Sequence, residues 1–207
     1  MLLGVASLLV GNLAAIMQTN IKRMLGYSTV SHMGFILLAF LGAEAGVTAA
    51  LYYAITYALM ATVAFGVLML LSNEGFECEQ VSDLAGLNQK NAWYAFLMLL
   101  SMFSMAGIPP LMGFYAKLSV IKALLAHGYV WVSVYAVIMS LIGAFYYLRV
   151  VKTMYFDSPD ALDHKIEMRR IAQWVLSINA LLLLLWGVLP ESVMHWCVQA
   201  FNQSMIG

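Results

Sequence analysis

Charge is what this sequence has least of. Lys, Arg, Asp and Glu supply 10% of its 207 residues against 63% hydrophobic ones, and ten basic and ten acidic side chains cancel to a formal net charge of zero. Soluble globular chains carry about 25% charged residues, and the mean hydropathy here is +0.87. A soluble fold is therefore excluded, and the balanced charge gives no basic excess for nucleic acid. Cysteine is nearly absent: Cys78 and Cys197 are the two there are, too few for a disulfide scaffold, an iron–sulfur cluster or a four-cysteine zinc site. Phosphate loops, dinucleotide loops, metal-ligand spacings and nucleophile motifs are missing too, so no cofactor-binding, metal or catalytic residue is assigned in this chain. Strictly alternating strands are also lacking, which excludes a membrane barrel. The acidic residues of the connection 72–92 (Glu74, Glu77, Glu79, Asp83) and the charges of 156–170 carry no such spacing and read as loops docking on their neighbours.

Long apolar runs are what remains. Six are present, at 1–18, 24–42, 47–71, 93–126, 129–155 and 171–190, each near or above the ~20 residues that cross ~30 Å of hydrocarbon as a helix. The expected fold is an all-α, polytopic membrane helix bundle of about six transmembrane helices in the lipid bilayer, one of them discontinuous. The run 93–126 is too long for one straight crossing and contains "GIPPLMG", where Gly107, Pro109, Pro110 and Gly113 read as a helix break. Prolines remove backbone donors, and hydrocarbon tolerates the loss only where protein or a wet cavity supplies new partners. Met1 opens directly on the first run, which reads as a truncated start rather than a signal peptide.

Basic residues give the orientation. Lys22 and Arg23 follow the first run, Lys90 the third, and Arg149, Lys152, Lys165, Arg169 and Arg170 surround the connection after the fifth. The opposite side, including the C-terminal tail, has no Lys or Arg in its connections and carries Glu44 and Glu191. By the positive-inside rule the basic connections are cytoplasmic and the C-terminus periplasmic. Cys78 and Cys197 then lie on opposite sides and cannot pair. Trp93, Trp131, Trp174 and Trp196 fall near run ends, as an interfacial aromatic belt requires.

Two ionisable residues remain inside the runs. Lys117 lies nine or ten residues before the exit of its run, ~14 Å deep at helical rise. A lysine there costs at least ~2.5 kcal/mol to insert. Beside a broken helix it marks a proton-transfer site, whereas Lys122, a turn from the exit, can snorkel to the interface. His32 sits ten residues inward from Lys22 among Tyr27, Ser28, Thr29 and Ser31, and its two nitrogens suit a proton relay as well as they suit packing. Tyr53 and Tyr57 share one helix face, and Ser133, Ser140 and Tyr147 another. Both sets are candidates for polar lining, although small and polar residues such as Gly4, Ser7 and Gly11 are equally the usual glue between membrane helices.

Three stretches carry a family resemblance: "QTNIKRMLGYSTVSHMGF" (18–35), "GIPPLMGFYAKLSVIKAL" (107–124) and "GAFYYLRVVKTMYF" (143–156). The chain resembles the antiporter-like membrane subunits of respiratory complex I, the bacterial NADH-quinone oxidoreductase, and within them the subunit N branch. The resemblance covers the whole chain and implies a longer subunit of two inverted repeats, of which 1–207 matches the C-terminal part. It implies that Lys117 stands at the lysine of the broken helix toward the periplasmic exit, that His32 lies on a helix lining a central polar axis, and that the chain alone does not pump. Protons are then the transported ion and other membrane subunits of the complex the partners. NAD, flavin, iron–sulfur clusters and quinone are expected in those other subunits, and the residence is the bacterial inner membrane. A subunit of a multisubunit sodium/proton antiporter or membrane-bound hydrogenase, or a structural membrane scaffold, are the alternatives.

Overall fold

The structure, a computed structural model, describes residues 1–72, 75–158 and 170–206. Lys165 and Arg169 lie outside them, as do Glu74, Asp160 and Asp163. Among the described residues nine α-helices follow in order: α1 (Leu2–Ile16), α2 (Ile21–Ala39), α3 (Ala43–Leu71), the single turn α4 (Leu87–Lys90), α5 (Ala92–Ala106), α6 (Met112–Ala126), α7 (Val130–Phe156), α8 (Arg170–Val188) and α9 (Pro190–Ile206). Among the described residues, Ile21–Leu71, Val130–Phe156 and Arg170–Val188 are long and apolar enough to cross a membrane, and Leu2–Ile16 and Ala92–Ala106 are shorter apolar helices. Leu2, Leu9, Val10, Leu141, Phe145 and Ile178 are exposed, an outward apolar surface of the kind membrane helices present. The protein is a multi-pass membrane helix bundle.

The long run 93–126 is occupied by two helices, α5 and α6, separated by residues 107–111. Beyond the sixth run, the residues expected as a tail form a helix of their own. Its first residue is Pro190, whose missing N–H costs nothing at a helix start. Val193 and Cys197, four apart, are buried, while Glu191, His195 and Gln199 stay exposed. That mixed face kept α9 below the hydropathy of a span. Trp196 consequently lies inside α9, edge-on to Trp186 at 6.1 Å, rather than at the end of a run.

One end of the bundle gathers the connections after α1 and α3 with the end of α7. Ile21 donates its N–H to the Glu79 carbonyl at 2.6 Å, Val81 to Thr19 at 2.9 Å, and Gly86 to Thr153 at 3.1 Å. Lys22 pairs with Glu77 and, at 3.6 Å, with Glu79. Arg149 reaches back to the carbonyls of Ile16 at 3.1 Å and Gln18 at 2.6 Å, so it satisfies the end of α1 rather than lying free at the interface. Asp83 accepts the N–H groups of Glu79 and Gln80. Burial pushes the Cys78 thiol up to about 12, Asp83 adding to the shift, so it stays protonated. The acidic connection is therefore a docked structural element.

Inside, α1 and α2 approach backbone to backbone through Gly4, Gly11 and Gly34. Asn12 ties α1 to α7: its amide donates to the carbonyls of Leu8 at 2.9 Å and Met139 at 3.1 Å and accepts from the Tyr146 hydroxyl at 3.0 Å.

Candidate functional site

An α-helix ends with four carbonyls that have no partner within it. For α5 these belong to Phe103, Ser104, Met105 and Ala106. Gly107 follows with φ +86°, a left-handed conformation natural to glycine. The turn it makes returns Ile108 N–H to the Phe103 carbonyl at 3.0 Å and Gly107 N–H to that of Ser104 at 3.0 Å. Two carbonyls are left over. Both accept from the Lys117 ammonium, Met105 and Ala106 each at 2.9 Å.

Lys117 reaches them because α6 starts hard against the end of α5. Gly113 makes that contact: a Cβ there would stand 1.9 Å from the Ser104 carbonyl oxygen. Its N–H is held by the Ser104 hydroxyl at 3.1 Å. Lys117 follows four residues later, on the same face of α6. Pro109 and Pro110, joined by a cis peptide, are exposed on the outside of the break, and Gly187 of α8 lies against Pro110.

The third N–H of Lys117 goes to the Ser140 hydroxyl of α7 at 2.9 Å, and the Phe35 ring centroid lies 5.6 Å from Nζ. Lys117 is 7% exposed. Among the described residues no carboxylate pairs with it. Its charge is balanced instead by two carbonyls and the negative end of the α5 dipole.

His32 is 3% exposed. Its Nδ1 meets the Tyr53 hydroxyl and its Nε2 the Tyr147 hydroxyl, each at 2.9 Å, so the imidazole bridges α3 and α7. Neutral histidine has one donor and one acceptor nitrogen, and a hydroxyl serves either. Tyr57 lies alongside, its ring 5.0 Å from that of His32 and its hydroxyl 2.6 Å from Thr29. His32, Lys117, Ser140 and Tyr147 line one small cavity together with Asn12 and Tyr146.

The residues singled out in the sequence therefore divide. Lys117, His32, Ser140 and Tyr147 share the cavity; Tyr53 and Tyr57 stand behind His32; Gly107 and Gly113 shape the break. Ser133 is buried apart from them and bonds the carbonyl of Tyr129, the residue just before its own helix, at 3.0 Å. Lys122 is exposed. Asn12, Ser104 and Tyr146 were missed, and an amide in the middle of an apolar run was the signal that Asn12 offered. Among the described residues no three His, Cys, Asp or Glu side chains come together as metal ligands.

Residues 1–143 match the family model described as "NADH:quinone oxidoreductase/Mrp antiporter, TM". NADH-quinone oxidoreductase subunit N of Neisseria gonorrhoeae is 67% identical over 204 residues, which are 99% of this chain and 42% of that protein. Respiratory complex I from Thermus thermophilus with bound aureothin contains a chain of the same fold, with a TM-score of 0.82, 31% identity, and coverage of 93% of this chain and 44% of that one. A chain of the membrane-bound sulfane sulfur reductase, an archaeal respiratory membrane complex, aligns with a TM-score of 0.86 and 26% identity over 96% of this chain and 40% of its own. The present chain thus spans about two fifths of the length of the curated relatives it matches.

Proposed function

Because the chain belongs to the NADH:quinone oxidoreductase/Mrp antiporter transmembrane family, we propose that it is the C-terminal part of an antiporter-like, proton-translocating subunit of a bacterial NADH-quinone oxidoreductase, with Lys117 carrying the proton. One observation supports this above all. Lys117 is buried, no carboxylate among the described residues pairs with it, and its three donors are held by a broken helix end and one hydroxyl. A structural ion pair would have a counter-ion. This group is arranged to keep its charge in one state and to lose it when a neighbouring charge changes.

In this reading NADH oxidation and quinone reduction occur in other subunits, which carry NAD, flavin, iron–sulfur clusters and quinone, and no cofactor sits in this chain. Their energy arrives as charge displacement along the polar axis. A change of charge at His32, which shares the cavity with Lys117, shifts the balance between the ammonium and the neutral amine. His32 relays by taking a proton at one nitrogen and releasing one from the other, its Tyr53 and Tyr147 partners reorienting as it does. The membrane is the bacterial inner membrane, with the basic connections cytoplasmic and the C-terminus periplasmic. The partners are the other membrane subunits and the remainder of the same subunit.

The experiment replaces Lys117 in the full-length subunit within the assembled complex. Lys117→Ala should sharply reduce NADH-driven quinone reduction and proton uptake in vesicles, normalised to intact complex. Lys117→Arg should also be impaired, because a guanidinium holds its charge and cannot cycle a proton. Lys122→Ala, at an exposed position, should do much less. Wild-type rates for Lys117→Ala in an intact complex would return Lys117 to a structural role.

A further inference from the structure

The three acceptors around Lys117 differ in kind, and the difference sets the route its proton takes. An ammonium has three N–H donors and no acceptor; a neutral amine has two donors and one lone pair. The Met105 and Ala106 carbonyls accept and can do nothing else. The Ser140 hydroxyl, at 2.9 Å, can accept from the ammonium or donate to the amine. Only at Ser140 can a bond be kept when the proton goes.

Resting on the reading of Lys117 as the proton carrier, we propose that Ser140 is the hydroxyl through which Lys117 exchanges its proton with the His32 cavity. The step balances without any further reactant than a water molecule in that cavity. The Nζ–H bond facing Ser140 breaks as its proton moves to Oγ, and the hydroxyl's own proton passes to the water, giving hydronium, an intact serine and a neutral amine. The new Oγ–H then points at the Nζ lone pair, and the two remaining N–H groups stay on the Met105 and Ala106 carbonyls. Every polar group is therefore partnered before and after, so neither state leaves a buried donor or acceptor orphaned. Reloading runs the same step in reverse.

The surroundings support the route. Ser140 and Lys117 both line the cavity whose wall carries the polar groups of Asn12, His32, Tyr146 and Tyr147, the polar partners that a bridging water needs. On the other side of Nζ stand the two carbonyls and the closed turn at Gly107, which offer no group that can both take and give a proton. Ser140 lies on the same face of α7 as Tyr147, seven residues on, which bonds His32 Nε2. The hydroxyl thus stands between the carrier and the relay.

The test uses the full-length subunit in assembled complex reconstituted into vesicles, with Ser140→Ala, Ser140→Thr and Lys117→Ala compared in parallel. Ser140→Ala should lower coupled quinone reduction and proton uptake by about 10-fold or more and should enlarge the solvent deuterium isotope effect, because proton transfer at Lys117 becomes the slow step. Ser140→Thr keeps the hydroxyl and should retain most of the rate with a near wild-type isotope effect. Wild-type behaviour of Ser140→Ala alongside a defective Lys117→Ala would overturn the proposal and leave Lys117 as the carrier. Equal loss in Ser140→Ala and Ser140→Thr with normal assembly would overturn it in favour of packing. A silent Lys117→Ala would remove the carrier itself, and the proposal with it.

Discussion

Gly113→Ala tests whether the contact between α5 and α6 is what aims Lys117. In the structure the added Cβ would meet the Ser104 carbonyl oxygen at 1.9 Å, where ordinary contact begins near 3.4 Å. The obstacle is backbone, so a rotamer change cannot relieve it. The first turn of α6 must retreat by about 1.5 Å, and Lys117, one turn further on, moves with it. Its 2.9 Å bonds to the Met105 and Ala106 carbonyls would then stretch to roughly 4 Å and cease to be hydrogen bonds. Overpacking of this kind costs about 1–3 kcal/mol, and each lost bond to a charged group about 1.5–3 kcal/mol. A destabilisation of several kcal/mol follows, together with loss of proton uptake per assembled complex. Gly26→Ala is the matched control: it lies in a helix interior with nothing within 4 Å of the added atom, so it should be neutral or stabilise by up to about 1 kcal/mol. Thermal unfolding of the purified complex and vesicle proton uptake read the two effects separately. Wild-type stability and pumping in Gly113→Ala would refute the packing argument.

Two further outcomes are expected. His32→Ala in the full-length subunit should slow proton pumping more than it disturbs assembly, and equal pumping per assembled complex would return His32 to a packing role between Tyr53 and Tyr147. Reporter fusions at positions 80 and 160 should read cytoplasmic and one at 205 periplasmic; a cytoplasmic signal at 205 would overturn the periplasmic placement of the C-terminus.

The helices were legible because hydrocarbon leaves a chain few choices. With 63% hydrophobic residues and no water for its backbone groups, each long apolar run had to satisfy itself as a helix, and α2, α3, α7 and α8 overlie such runs. The interruption between α5 and α6 was legible from Pro109, Pro110 and the glycines around them. α9 was not, because Glu191, His195 and Gln199 dilute its hydropathy. Its signal was the i, i+4 pair Val193 and Cys197, a periodicity that an average over the segment erases. Arg149 was legible as a basic residue near a membrane face, but its partners, the carbonyls of Ile16 and Gln18, lie more than 130 residues away and leave no trace in its own neighbourhood.

The candidate site shows the same division between side chains and backbone. Lys117 and His32 stood out as ionisable residues in apolar surroundings, and Ser140 and Tyr147 followed from a spacing of seven. The groups that hold the Lys117 charge are backbone carbonyls, which have no residue identity to read. They become legible only when the break and the lysine are taken together. The break strands two acceptors at the negative end of a helix dipole, and what satisfies them must carry diverging donors and reach across from the next helix, where the dipole favours a positive charge. A carboxylate at 117 would face two carbonyl oxygens and the wrong end of the dipole. A guanidinium would present a flat fork to three acceptors drawn from two helices. An ammonium on a flexible stem meets all three and, unlike a guanidinium, can give its proton up. The lysine that looked misplaced in an apolar run is thus the complement of the break that precedes it: the break leaves two carbonyls for its donors, and an amine that can be charged or neutral satisfies both.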